Sequence, residues 1–86
     1  MTDQVWTVTR HRLSLRGTEW SVRLARFPRG WLASVDTVEG PTLGSDASPY
    51  LALSRAFEPL GMGLDVRLAS ADIVAAARRV PGAMLA

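Results

Sequence analysis

The segment Leu13-Ser-Leu-Arg-Gly-Thr-Glu-Trp-Ser-Val22 constrains the fold more than any other part of the chain. Apolar and polar residues alternate on both sides of Gly17, which is the period of a half-buried strand, and a glycine between two such runs signals a tight hairpin. Reading Gly17-Thr18 as a two-residue type II′ loop places Arg16 opposite Glu19, Leu15 opposite Trp20, Leu13 opposite Val22 and Arg12 opposite Arg23. Leu13, Leu15, Trp20 and Val22 then share one face and the other face is polar. A chain built on this hairpin must cover its apolar side with another layer.

The neighbouring segments supply that layer and extend the sheet. Residues 5 to 16 alternate throughout, but Trp6 and Val8 have the opposite parity to Leu13 and Leu15, so a β-bulge near Thr9 to His11 is expected to bring both pairs inside. Phe27-Pro28-Arg29-Gly30 reads as a turn, and Trp31 to Val38 as a third strand with Trp31, Ala33 and Val35 on one face. Residues 39 to 49 read as a loop, with a short strand around Thr42-Leu43 and a close in Ser48-Pro49, the N-cap and first position of a helix. That helix is expected to run to about Glu58, with Tyr50, Leu53, Phe57 and Leu60 as the stripe that covers the sheet. Leu64 to Ala69 alternates and reads as a fourth strand with Leu64, Val66 and Leu68 inward. Ser70 then caps a helix over Ala71 to Val80, with Asp72 in its first turn, Arg78-Arg79 in its last and Pro81-Gly82 as its stop. The expectation is a single α+β domain over residues 1 to 86, an antiparallel sheet with helices packed on one face in the order βββαβα.

Size and charge narrow the function. With 86 residues, no Cys and one His, neither disulfides nor a metal can staple a core this small, so a homodimer is expected. No apolar run is long enough for a membrane span, and Met1-Thr2-Asp3-Gln4 has neither a basic nor an apolar leader pattern, so a cytoplasmic protein without membrane contact is expected. His11 lies beside Arg10 and Arg12 with no carboxylate near in sequence to orient it, and reads as a solvent-facing or bulge residue. Gly61-Met62-Gly63 and Gly40 to Gly44 lack the order of a phosphate loop and read as linkers. Trp6, Trp20 and Trp31 read as core residues, since they alternate with small or apolar neighbours or fall inward by register. No catalytic residue, metal, cofactor or small-molecule substrate is expected.

The charge is uneven. Residues 1 to 30 hold six Arg against Asp3 and Glu19, and the remainder holds four Arg against six acids. Arg12, Arg16, Arg23, Arg26 and Arg29 are therefore the candidate anion-binding or partner-binding residues. Directly opposed Arg12 and Arg23 would repel, so a neutralising group is expected: Asp36 from the third strand, an acid from a partner, or phosphates of a nucleic acid; against these binding readings stands a plain solvated sheet face, which is the expected one.

Gly30-Trp31-Leu-Ala-Ser-Val-Asp36, followed by Gly44-Ser45-Asp46-Ala47-Ser48-Pro49-Tyr50-Leu-Ala-Leu53 leading into a helix after three strands, resembles the HicB-type antitoxin fold over roughly residues 13 to 60. Val35 to Pro41 stands where that family has a Phe-Pro-Asp-Leu-Pro-Gly segment, and Ser48-Pro49-Tyr50 where its helix opens with Glu-Glu-Ala. The resemblance implies a non-catalytic, dimeric, partner-binding domain. Asp65 to Val74 also resembles the strand and first helix of a ribbon-helix-helix unit, in which Arg67 would face the DNA groove, but residues 81 to 86 cannot supply its second helix. The expected function is a non-enzymatic protein-interaction or regulatory module that binds another protein or its own copy. The alternatives are a nucleic-acid-binding module using the Arg-rich hairpin and an accessory subunit of a larger enzyme.

Overall fold

The computed structural model describes residues 7–79. The hairpin pairs β1 (Thr7–Leu15) with β2 (Thr18–Phe27), and its turn is Arg16-Gly17 rather than Gly17-Thr18. Both turn residues are left-handed, Arg16 at φ 51° and Gly17 at φ 77°, the geometry of a type I′ turn that suits the twist of the strands. Leu13 consequently faces Trp20, Arg12 faces Ser21, and Arg10 takes the place opposite Arg23. A register change of two residues returns every side chain to its own face, so burial is the same in either register and the turn decides between them. A left-handed non-glycine residue costs about 1–2 kcal/mol. Arg16 Nε donates to Asp65 Oδ2 at 2.7 Å, an exposed pair that offsets part of this cost.

β1 carries no bulge, because its pairing with β2 is unbroken from Thr7 to Leu15. Thr7, Thr9 and His11 take the inward positions toward one end of the strand, and the ring nitrogen Nε2 of His11 lies 2.7 Å from Thr9 Oγ1. Two polar side chains that satisfy each other remove the need to turn Val8 inward, and Val8 points outward. Trp6 lies outside the described residues.

β3 (Gly30–Val35) adds to β2 across a Pro28-Arg29 turn, and β4 (Thr42–Asp46) adds to β3, giving one antiparallel sheet in the order β1-β2-β3-β4. The fourth strand thus precedes the helices. The helices are α1 (Pro49–Phe57), α2 (Gly63–Ala69) and α3 (Ala71–Arg78), with a 3₁₀ turn at Glu58–Leu60. The chain is α+β, with helices against one face of the sheet.

Leu64 to Ala69 is helical, not a strand. Its period-two pattern competes with a helical one that starts earlier: Met62, Val66, Ser70, Val74 and Ala77 recur at steps of four, four, four and three, and all are buried. Leu64 and Leu68, inward in the strand reading, are exposed instead. Ser70 stands at the N-cap of α3 as expected, but its hydroxyl caps nothing and is buried without a partner. Asp72 and Arg78 occupy the first and last turns of α3, while Val80 and Pro81-Gly82 lie outside the described residues.

α1 is held to the sheet by small residues. Ser48 caps it by accepting from Leu51 N–H, and Pro49 follows at a position that needs no donor. Ala52 and Ala56 lie over Gly44 of β4, which stands opposite Ala33 in β3, and all four are buried. A Cβ on Gly44 would meet the Ala52 carbonyl oxygen and the Ala56 amide nitrogen. Gly44 is therefore a packing position inside a strand and not part of a linker. Thr42 Oγ1 donates to the Ala56 carbonyl at 2.6 Å on the same seam. Leu53 and Phe57 reach past this seam into the core with Val22, Leu24, Val35, Val66 and Val74, and Phe57 meets Trp20 edge-on at 5.8 Å.

Two substitutions check this account by urea denaturation. Gly44→Ala should destabilise the chain by about 3 kcal/mol, at the upper end of overpacking costs, since both colliding atoms are backbone. Gly17→Val should cost about 1–3 kcal/mol from the left-handed backbone alone, as the space around Gly17 is open.

Candidate interaction surface

All three helices lie on one side, so the second face of the sheet is left uncovered among the described residues. Its side chains form rows across the strands by register. Val8, Ala25, Leu32 and Ser45 make the first row, Arg10, Arg23, Ser34 and Leu43 the second, and Arg12 and Ser21 begin a third with Asp36, whose N–H donates to the Ser21 carbonyl at 3.1 Å. Val8 is 54% exposed and Leu43 61%. The face is therefore apolar toward the Phe27 end of β2 and basic toward its middle.

The five arginines read from the sequence do not gather on this face. Arg12 and Arg23 do. Arg12 Nη1 donates to Glu19 Oε1 at 3.0 Å, and Arg23 Nη2 donates to Asp36 Oδ1 at 3.0 Å, so Asp36 is the neutralising group for Arg23. Arg16 is in the turn and bound to Asp65. Arg26 is on the helix-covered face, with its guanidinium 5.6 Å from the Trp31 ring centre. Arg29 is exposed in the Pro28-Arg29 turn and, with Phe27, Trp31 and Leu32, lines a cleft of about 500 Å³. Trp31 itself is half-buried against the core and alternates as expected.

Arg10 joins Arg12 and Arg23 and was not among the candidates. The signal was available in the turn: with Arg16-Gly17 at the tip, Arg10 falls opposite Arg23. Arg10 has no ion-pair partner among the described residues. Arg10, Arg12, Ser21, Arg23 and Asp36 line a concavity of about 350 Å³. Arg67, the residue of the ribbon reading, is exposed on helix α2 rather than on a strand.

His11 is half-buried on the inner side of β1 rather than facing solvent, and burial lowers its pKa below the ordinary histidine value. No group of three or more His, Cys, Asp or Glu among the described residues could hold a metal ion, and no helix among them is long and apolar enough to cross a membrane. Comparison with models of known families, with curated proteins and with solved structures finds no match.

The His11 shift has a definite sign. A histidine whose folded pKa is depressed favours the folded state above the unfolded value of 6.5, and this contribution is lost as pH falls from there toward the folded pKa, because the unfolded chain takes up the proton first. Stability measured by urea melts should therefore fall between pH 7 and pH 5, and His11→Gln should reduce that fall.

Proposed function

We propose that the chain is a non-enzymatic, cytoplasmic interaction module that self-associates through the uncovered face of its sheet. The observation that carries this reading is a four-stranded sheet with exposed Val8 and Leu43 on the side that none of the described helices covers. A two-fold contact has to be complementary to itself. This face meets that condition, because it carries both signs, Arg10, Arg12 and Arg23 against Glu19 and Asp36, beside an apolar row. The resemblance of residues 13 to 60 to the HicB-type fold supports the same reading, since it implies a non-catalytic, dimeric, partner-binding domain.

Size sets the strength. Strands about 4.8 Å apart and of this length present a face of roughly 400–500 Å² in projection. A standard interface takes roughly 800 Å² from each partner, so a weak, reversible dimer is expected. Nucleic acid is the second candidate partner class, and Arg10, Arg12 and Arg23 are the residues that favour it.

Light scattering across a concentration series tests the proposal. At about 100 μM a substantial dimer fraction is expected, and a chain that stays strictly monomeric there contradicts it. Val8→Thr with Leu43→Thr leaves a β-branched residue, suited to a strand, at both positions while removing apolar contact. The pair should weaken the dimer by about tenfold and leave the urea midpoint nearly unchanged.

A further inference from the structure

We propose that the concavity over β1 and β2 lined by Arg10, Arg12 and Arg23 is a discrete oxyanion site that takes a single phosphate group. Arg10 and Arg23 are directly opposed across an antiparallel pair, which is a repulsive arrangement unless an anion sits between them. Asp36 answers only one of the two: it accepts from Arg23, while Arg10 has no carboxylate among the described residues. Arg12 stands two residues along the same face and gives one nitrogen to Glu19. A guanidinium has five N–H donors, so Arg12 and Arg23 both keep donors for a further acceptor and Arg10 keeps all of its own. Ser21, exposed and opposite Arg12, adds a hydroxyl at the rim. The concavity's volume of about 350 Å³ accommodates a phosphate group.

The shape of the basic surface argues for one phosphate over a polymer. A nucleic-acid backbone needs a track of cations, and the remaining arginines of the first thirty residues do not extend one. Arg16 is tied to Asp65, Arg26 lies on the opposite face, and Arg29 is in the turn at the far end of β2. Three guanidiniums within one concavity match the oxygens of a single tetrahedral dianion, for which arginine is the geometrically suited donor.

Titration of the ¹⁵N-labelled chain with inorganic phosphate, followed by ¹H–¹⁵N shifts, tests the site. Saturable shifts centred on Arg10, Arg12, Ser21 and Arg23, with a Kd of roughly millimolar order, are expected. Arg10→Ala should weaken binding by about tenfold. Arg67→Ala, which removes the same charge from an exposed position on α2, should leave it within about twofold. Asp36→Asn should tighten binding, because it releases Arg23 from its carboxylate. Equal weakening by Arg10→Ala and Arg67→Ala, or shifts spread over all the arginine-bearing segments, would overturn the proposal, since either marks diffuse charge attraction. So would tight oligonucleotide binding with a log–log salt slope of roughly −3 or steeper and no response to inorganic phosphate, which marks an extended nucleic-acid track. The inference does not rest on self-association. Repeating the titration in the Val8→Thr, Leu43→Thr chain, where the arginines are intact, shows whether phosphate binds independently of the dimer.

Discussion

The close seating of α1 on β4 is the contact on which the rest of the arrangement depends. A helix axis normally stands about 10 Å from a sheet because side chains separate them. Here glycine and alanine face each other, Gly44 and Ala33 from the sheet, Ala52 and Ala56 from the helix. This lets Thr42 reach the helix backbone and drives Leu53 and Phe57 down among the strand side chains. With α1 fixed over the β3–β4 half of the sheet, the remaining apolar side chains of β1 and β2 need cover from elsewhere. α2 and α3 provide it through Met62, Val66, Val74 and Ala77.

A second consequence is the asymmetry of the sheet. Among the described residues, the helices that follow β4 all lie on one side, so the outer rows of Val8, Arg10, Arg12, Arg23 and Leu43 are left uncovered by them. Antiparallel sheets tolerate one wet face, normally with a polar outer row. This face departs from that pattern in two ways: isolated β-branched and leucine side chains are exposed, and two arginines are opposed. Both departures concern the same few square nanometres and both are relieved by binding. A second copy covers the apolar positions, and an oxyanion neutralises the arginines.

Much of the sheet was legible in the sequence because strand chemistry is local. The alternation of Leu13, Leu15, Trp20 and Val22 assigns faces whatever the register, and Trp31, Ala33 and Val35 do the same for β3. The Ser48-Pro49 cap also stood out, since the hydroxyl and the missing N–H act within one turn. The failures share a physical cause, which is that the deciding contact is distant. Arg16 tolerates a left-handed backbone beside Asp65, a residue far along the chain, so the turn moved by one residue and the arginine pairs moved with it. Leu64 to Ala69 alternates like a strand, and only the buried series from Met62 to Ala77 shows the helical period. Gly44 looked like a linker glycine because its reason for being glycine, the backbone of α1, is not in its own neighbourhood. His11 turned inward because Thr9 was there to receive it.

The claim that one face of this sheet is a binding surface is tested most directly by dilution. Amide ¹H–¹⁵N shifts recorded from about 500 μM down to about 10 μM span the range over which a weak dimer of this size dissociates. Shift changes that follow one binding isotherm and concentrate at Val8, Arg10, Ala25, Leu32 and Leu43, with α1 and α3 unmoved, are the predicted result. Spectra that do not change with concentration, or changes centred on the exposed Leu64 and Leu68 of α2, would contradict it.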